Sequence, residues 1–131
     1  MKRILYILSC FLLLSTATLA QDQGGNGDKI RERMTEYLQK RLNLSKAEAD
    51  RFGPVFMDYF NELRNTSQQY KGDRLVMQQK IVDLRLRYRD QFKNIMGEKR
   101  SNDVFVYERE FVNEVKELRK ERLQNKPNKR F

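Results

Sequence analysis

After residue 28 the apolar positions of this chain recur every three or four residues, the spacing of one face of a helix. Ile30, Met34, Tyr37, Leu38 and Leu42 make a first set, closed by Asn43 and Leu44. A second set is largely aromatic: Phe52, Val55, Phe56, Tyr59, Phe60 and Leu63. Met77, Ile81, Leu84, Tyr88, Phe92 and Ile95 alternate four and three apart, which keeps one seam toward a partner helix. In the last set Val104, Phe111, Val115 and Leu118 form a stripe, with Phe105, Tyr107 and Val112 beside it. No segment alternates apolar and polar residues long enough to make a strand. The pattern predicts an all-α chain with one short and three long helices.

The punctuation agrees with this division. Asp28 can cap the first helix. Ser45 and Glu48 form a capping box, in which the hydroxyl accepts from the N–H three residues on and the carboxylate reaches back. The second helix fades through "RNTSQQYKGD", where Gly72 offers a stop, and Asp73 opens the third. Gly97 ends the third, and the fourth is expected from about Ser101 to Leu123. Gly53-Pro54 lies inside the second helix, where Pro54 cannot donate to the carbonyl of Asp50. A bend is expected there, serving packing or setting the curvature of a binding surface. The Phe52-Phe56-Tyr59 stripe reads as core.

The first residues follow a different rule. Lys2 and Arg3 precede an apolar run from Ile4 to Leu14, then small residues to Ala20. This is the layout of a cleavable secretory signal cut after Ala20. The run is too short for an ordinary membrane-spanning helix, which needs about 20 apolar residues. Cys10 sits mid-run, with apolar residues continuing past it, so a lipidation site does not fit. The expected organisation is a signal at 1–20, a flexible Gly-rich leader at 21–27, one helical domain at 28–124 and a disordered basic tail at 125–131. Residues 21–131 then contain no cysteine, and an exported fold without disulfides rests on packing or on a partner chain.

Each long helix would run about 23–26 residues, or roughly 35–39 Å. Burying a large apolar side chain yields ~1.5–3 kcal/mol, against ~1–2 kcal/mol per residue for ordering the backbone. A thin layer of such helices is marginal alone, so a homodimer is expected.

Composition narrows the chemistry. Of 131 residues, 34% are charged, and the net charge is +9; losing Lys2 and Arg3 with the signal leaves +7. The sequence has no histidine and no tryptophan. No Ser-His-Asp or Cys-His arrangement can be built, nor an imidazole or thiolate metal site. Glu108 with Glu110, or Glu114 with Glu117, could form carboxylate pairs. They lie among Lys and Arg at helical spacing, which reads as solvated ion pairs. A non-enzyme without cofactor or metal is expected. Nucleic acid is a poor partner behind an export signal, and anionic headgroups suit only the basic tail.

Leu44-Ser45-x-x-Glu48 is a conservative variant of the LTxxQ motif, and Phe52, Pro54, Val55 and Tyr59 follow it in a long aromatic helix. With "YEREFVNEVKELRKER" at 107–122, residues 28–123 resemble the Spy/CpxP family of small periplasmic proteins, especially Bacteroidetes-type relatives. The family's second motif copy would fall near 96–100, where Met96-Gly97-Glu98-Lys99-Arg100 departs from it. The resemblance implies four helices dimerised into a thin curved cradle. In some members its concave face binds unfolded or partly folded envelope proteins without ATP. Others sense metals, which the absence of histidine, and of cysteine after Cys10, disfavours here, or restrain stress-signalling partners. The first expectation is therefore a periplasmic ATP-independent chaperone. Its candidate client contacts are Arg85, Arg89 and Lys93, with Met57, Phe60 and Met77. The alternative is a module binding a membrane-anchored sensor kinase or a sigma/anti-sigma partner. A structural protein like the trimeric chaperone Skp would need a β-rich body, for which there are no strands.

Overall fold

The computed structural model describes residues 25–125 and is all-α: α1 (Gly25–Arg41), α2 (Lys46–Gln69), α3 (Arg74–Met96) and α4 (Glu98–Gln124), with no strand among the described residues. The expected signal at 1–20, its cleavage after Ala20, and all but the first residue of the expected tail lie outside the described residues. The chain divides into two units, Met1–Ile30 and Arg31–Phe131. The first contributes residues 25–30, the exposed opening of α1. This corrects the leader, since Gly25–Gly27 are already helical and Asp28 stands in the first turn rather than at the cap. A carboxylate there favours the positive end of the helix dipole. Ile30, expected in the core, is 37% exposed.

In the second unit, every predicted helix contributes to one core. Met34 and Leu38 come from α1 and Leu42 from the turn after it, Phe52, Phe56 and Tyr59 from α2, Leu84, Tyr88, Phe92 and Met96 from α3, and Val104 and Phe111 from α4. α3 packs against both α2 and α4. Aromatic rings form the centre: Phe92 lies 5.3 Å from Phe52 and 6.1 Å from both Tyr88 and Phe105.

The connections are short because each has a specific stop. Asn43 takes φ 49°, and the Asn43 and Leu44 amides donate to the Lys40 and Gln39 carbonyls, a Schellman closure of α1. Ser45 then caps α2: its Oγ accepts from the Glu48 amide (3.1 Å), while Glu48 Oε1 accepts from the Ser45 amide (3.0 Å). Ser45→Ala should therefore cost about 0.5–2 kcal/mol, read as a lower melting temperature. An unchanged melt would mean that the cap contributes nothing.

α2 stops at Gln69, before Gly72, when the Tyr70 amide returns to the Thr66 carbonyl. Gly97 is the junction that needs glycine. At φ 87° its amide donates to Lys93 and its carbonyl accepts from Ser101, closing α3 and opening α4 in one residue. α4 consequently starts at Glu98, earlier than the Ser101 expected. Ser101 is instead a buried interior residue whose hydroxyl donates to the Glu98 carbonyl (2.7 Å).

α2 runs unbroken through Pro54, whose exposed ring lines a shallow depression with Asp50, Arg51, Val55, Gln91, Asn94 and Ile95. An interior proline costs a helix ~3 kcal/mol, of which its stiffening of the unfolded chain returns ~0.4–1 kcal/mol. Pro54→Ala should thus stabilise the fold by about 2 kcal/mol. A melting temperature that falls would show that α2 needs the proline where it is.

Candidate functional site

Two features stand out from the packing: an unpartnered face of α3 and a buried polar cluster behind it. Leu75, Val82, Leu86, Arg89 and Lys93 follow one another at steps of seven, four, three and four, so they share one face of α3. That face points away from the core positions Leu84, Tyr88 and Phe92. Leu75 is 78% exposed, Val82 53% and Leu86 46%, and Arg89 and Lys93 are exposed as well. α3 also concentrates the charge, carrying six cations (Arg74, Lys80, Arg85, Arg87, Arg89, Lys93) against Asp83 and Asp90. Lys93 pairs with Glu98 at 3.3 Å across the Gly97 junction. The result is a mixed strip: Leu75, Val82 and Leu86 are its aliphatic members, Arg89 and Lys93 the cations toward its end, and exposed Gln79 and Asp90 stand beside them.

The structure does not gather the six expected contacts on one surface. Arg89 and Lys93 lie on the exposed strip. Met77 sits seven residues before Leu84, on the core side, and is half-buried. Met57 and Phe60 share a flank of α2 with Gly53, where a Cβ would lie 4.0 Å from the Gln39 side-chain amide of α1, and both are half-buried. Phe60 packs against the core.

Arg85 occupies the edge between strip and core, and leads into the second feature. Its Nε donates to the Tyr59 hydroxyl (3.2 Å), which donates to Glu108 Oε2 (2.9 Å). Arg85 Nη2 stands 3.7 Å from Glu108 Oε1, and its guanidinium lies over the Phe105 ring. Tyr59 is fully buried and Glu108 is 5% exposed. The expectation that Glu108 is a solvated surface acid is therefore corrected. It occupies the inward stripe of α4, between Val104 and Phe111, where a tyrosine and an arginine reach it from two other helices. Burial raises the Glu108 carboxyl above the usual carboxylate range, against the opposing pull of Arg85 and the Tyr59 hydrogen bond. Burial likewise pushes the Tyr59 phenol up, beyond its ordinary value. Glu110 and Glu117 do behave as surface acids, pairing with Arg41 and Lys120, both at 2.7 Å.

The motif residues form a structural joint. Glu48, besides its capping role, receives both arms of Arg100 (3.1 and 2.6 Å), which also donates to the Asn43 carbonyl (3.4 Å). Those Arg100 bonds, followed by that of the Ser45 amide, hold the Glu48 carboxyl below its ordinary range. Leu44 is half-buried against the core. Arg100 belongs to the stretch where a second motif copy was expected, so the departing sequence supplies a clamp on the first. Nothing local in the sequence marks this pair, 52 residues apart.

Among the described residues no helix is long and apolar enough to cross a membrane. Comparison of the chain with family models, with characterised proteins and with solved structures finds no match.

Proposed function

We propose that this protein is an ATP-independent, chaperone-like binder of unfolded or partly folded envelope proteins, exported to the periplasm. The observation that carries this reading is the outer strip of α3, three exposed aliphatic side chains continuing into Arg89 and Lys93. Aliphatic contacts without hydrogen-bond readout accept many sequences, and neighbouring cations speed encounters with acidic chains. The export pattern of residues 1–20 and the resemblance carried by Leu44, Ser45 and Glu48 support the same reading.

Pairing of two copies belongs to this proposal. The core-facing stripes of α2, α3 and α4 continue past the buried cluster into half-buried Leu63, Met77, Ile81 and Val115 and exposed Leu118 (54%). Leu118 was expected within the stripe's core. It stands outside the core at 54% exposure.

The test is light scattering from a denatured, aggregation-prone acidic client mixed with the full chain. Suppression is expected at several-fold molar excess and should weaken with added salt. Arg89→Glu with Lys93→Glu should slow client association on the order of tenfold. Lys93 also pairs with Glu98 and sits in the last turn of α3, so a thermal melt of the variant is the control that separates lost activity from unfolding. No suppression at low salt would end the proposal. Capture of a single stoichiometric envelope protein, without general client binding, would instead favour a module acting on one stress-signalling partner.

A further inference from the structure

We infer that Tyr59, Arg85 and Glu108 form an acid-operated latch, in which proton uptake by Glu108 releases the Arg85 guanidinium from the core to the outer edge of α3. The geometry gives each member a distinct part. Tyr59 is locked: its ring is fully buried among Phe56, Tyr88, Phe92 and Phe105. Glu108 is locked too, on the inward stripe of α4. Arg85 alone has an exit, its side chain being 37% exposed and its Cα one residue from the strip position Leu86.

The groups facing the Glu108 carboxylate are Tyr59 from α2, Arg85 from α3 and Arg109 from α4 itself. A proton taken from solvent onto a Glu108 oxygen leaves a neutral acid that still accepts from the Tyr59 hydroxyl. The Tyr59–Glu108 bond between α2 and α4 is kept, and the contacts that open are the Arg85 Nε–H bond to Tyr59 and its pairing with Glu108. What disappears is the negative charge that holds Arg85 inward. A guanidinium facing a phenol and the Phe105 ring has less to gain than one in water. Rotation about its own side-chain bonds then places it beside Arg89.

The rest of the fold tolerates this step. Glu108 titrates in the folded chain above its ordinary range, so its protonation favours the folded state and precedes acid unfolding. Glu48 and Glu62 shift the other way, held down by Arg100 and by the Tyr88 hydroxyl respectively. Their contribution is complete above the ordinary carboxylate range and is lost only as pH falls through their lowered values. Between the two lies a window of mild acid in which the latch is open and the helices remain packed.

The experiment is a pH titration of the full-length protein by NMR, following the Glu108 side-chain carboxyl carbon and the Arg85 Nε–H signal. Glu108→Gln supplies the assignment and an uncharged reference. The Glu108 midpoint should lie above about 4.5, the ordinary value for the side chain. The protected Arg85 Nε–H signal should be lost with the same midpoint, while far-UV circular dichroism stays constant. In Glu108→Gln that signal should already exchange like that of exposed Arg89 at neutral pH. An Arg85 signal that stays protected through the Glu108 transition overturns the latch, as does a Glu108 midpoint at or below 4.5. The wild-type titration decides the matter even if the variant does not fold. Neither readout uses a client, so failure of the chaperone proposal would leave this result standing.

Discussion

Replacing Phe92 with alanine should remove about 3–5 kcal/mol of stability, the loss that follows when a buried aromatic leaves a cavity. The site justifies the upper part of that range. Phe92 is fully buried, and its ring meets Phe52 at 5.3 Å, Tyr88 and Phe105 at 6.1 Å and Tyr59 at 6.2 Å. Aromatic pairs contribute ~0.5–1.5 kcal/mol beyond their buried area. Those four partners come from three helices, none of which can move inward without disturbing the other two. Small domains have about 5–15 kcal/mol in all, so the variant should sit near the edge of folding at 37 °C. Denaturant titration gives the measurement, with Leu75→Ala as the control. Leu75 is 78% exposed and lies outside the stripe proposed for pairing, and its truncation should cost under about 0.5 kcal/mol. Equal midpoints for the two variants would mean that the aromatic cluster is not the core.

What made Phe92 legible in the sequence is its place in a seam of apolar residues spaced three and four apart. The same period located all four helices, and glycine and capping chemistry located most of their ends. Gly97 could be read as a stop because a positive φ admits few other residues. Its second part, as the start of α4, could not, since immediate reversal depends on how α4 packs back on α3. The period also had a blind side. Counting only apolar positions passes over Glu108, although it lies four residues after Val104 and three before Phe111 and so must face inward with them. An acid at such a register is a signal that can be used. The clue to its partners is weaker, because neither Tyr59 nor Arg85 differs in sequence from the tyrosines and arginines around it. The outer strip of α3 was hidden for a related reason. Once Leu84, Tyr88 and Phe92 are assigned to the core, Leu75, Val82 and Leu86 read as scatter, and only their shared exposure reveals the stripe. Arg100 on Glu48 had no signal at all, since ion pairs between distant segments leave no period.

Glu108 also provides the second large effect, through a contrast between two substitutions. Glu108→Ala removes the acceptor for a fully buried phenol, and an orphaned buried donor costs about 1–3 kcal/mol. The emptied side-chain volume between Val104 and Phe111 adds to that loss. Arg85 contributes less, because its guanidinium can turn to water. Glu108→Gln keeps an oxygen for the Tyr59 hydroxyl and removes only the charge. In the folded state that charge is disfavoured by burial, more than Arg85 and Tyr59 restore, since the carboxyl titrates above its ordinary range. Glutamine should therefore match or exceed wild type in stability at neutral pH, while alanine falls well below both. The difference fades with acid: as pH drops through the raised value, wild type gains its proton and closes the gap to Glu108→Gln. Thermal melts of the three proteins between neutral and mildly acidic pH would show this convergence. If glutamine proves as damaging as alanine at neutral pH, the buried charge itself holds α2, α3 and α4 together, and the carboxylate is a structural tie rather than a proton-sensitive one.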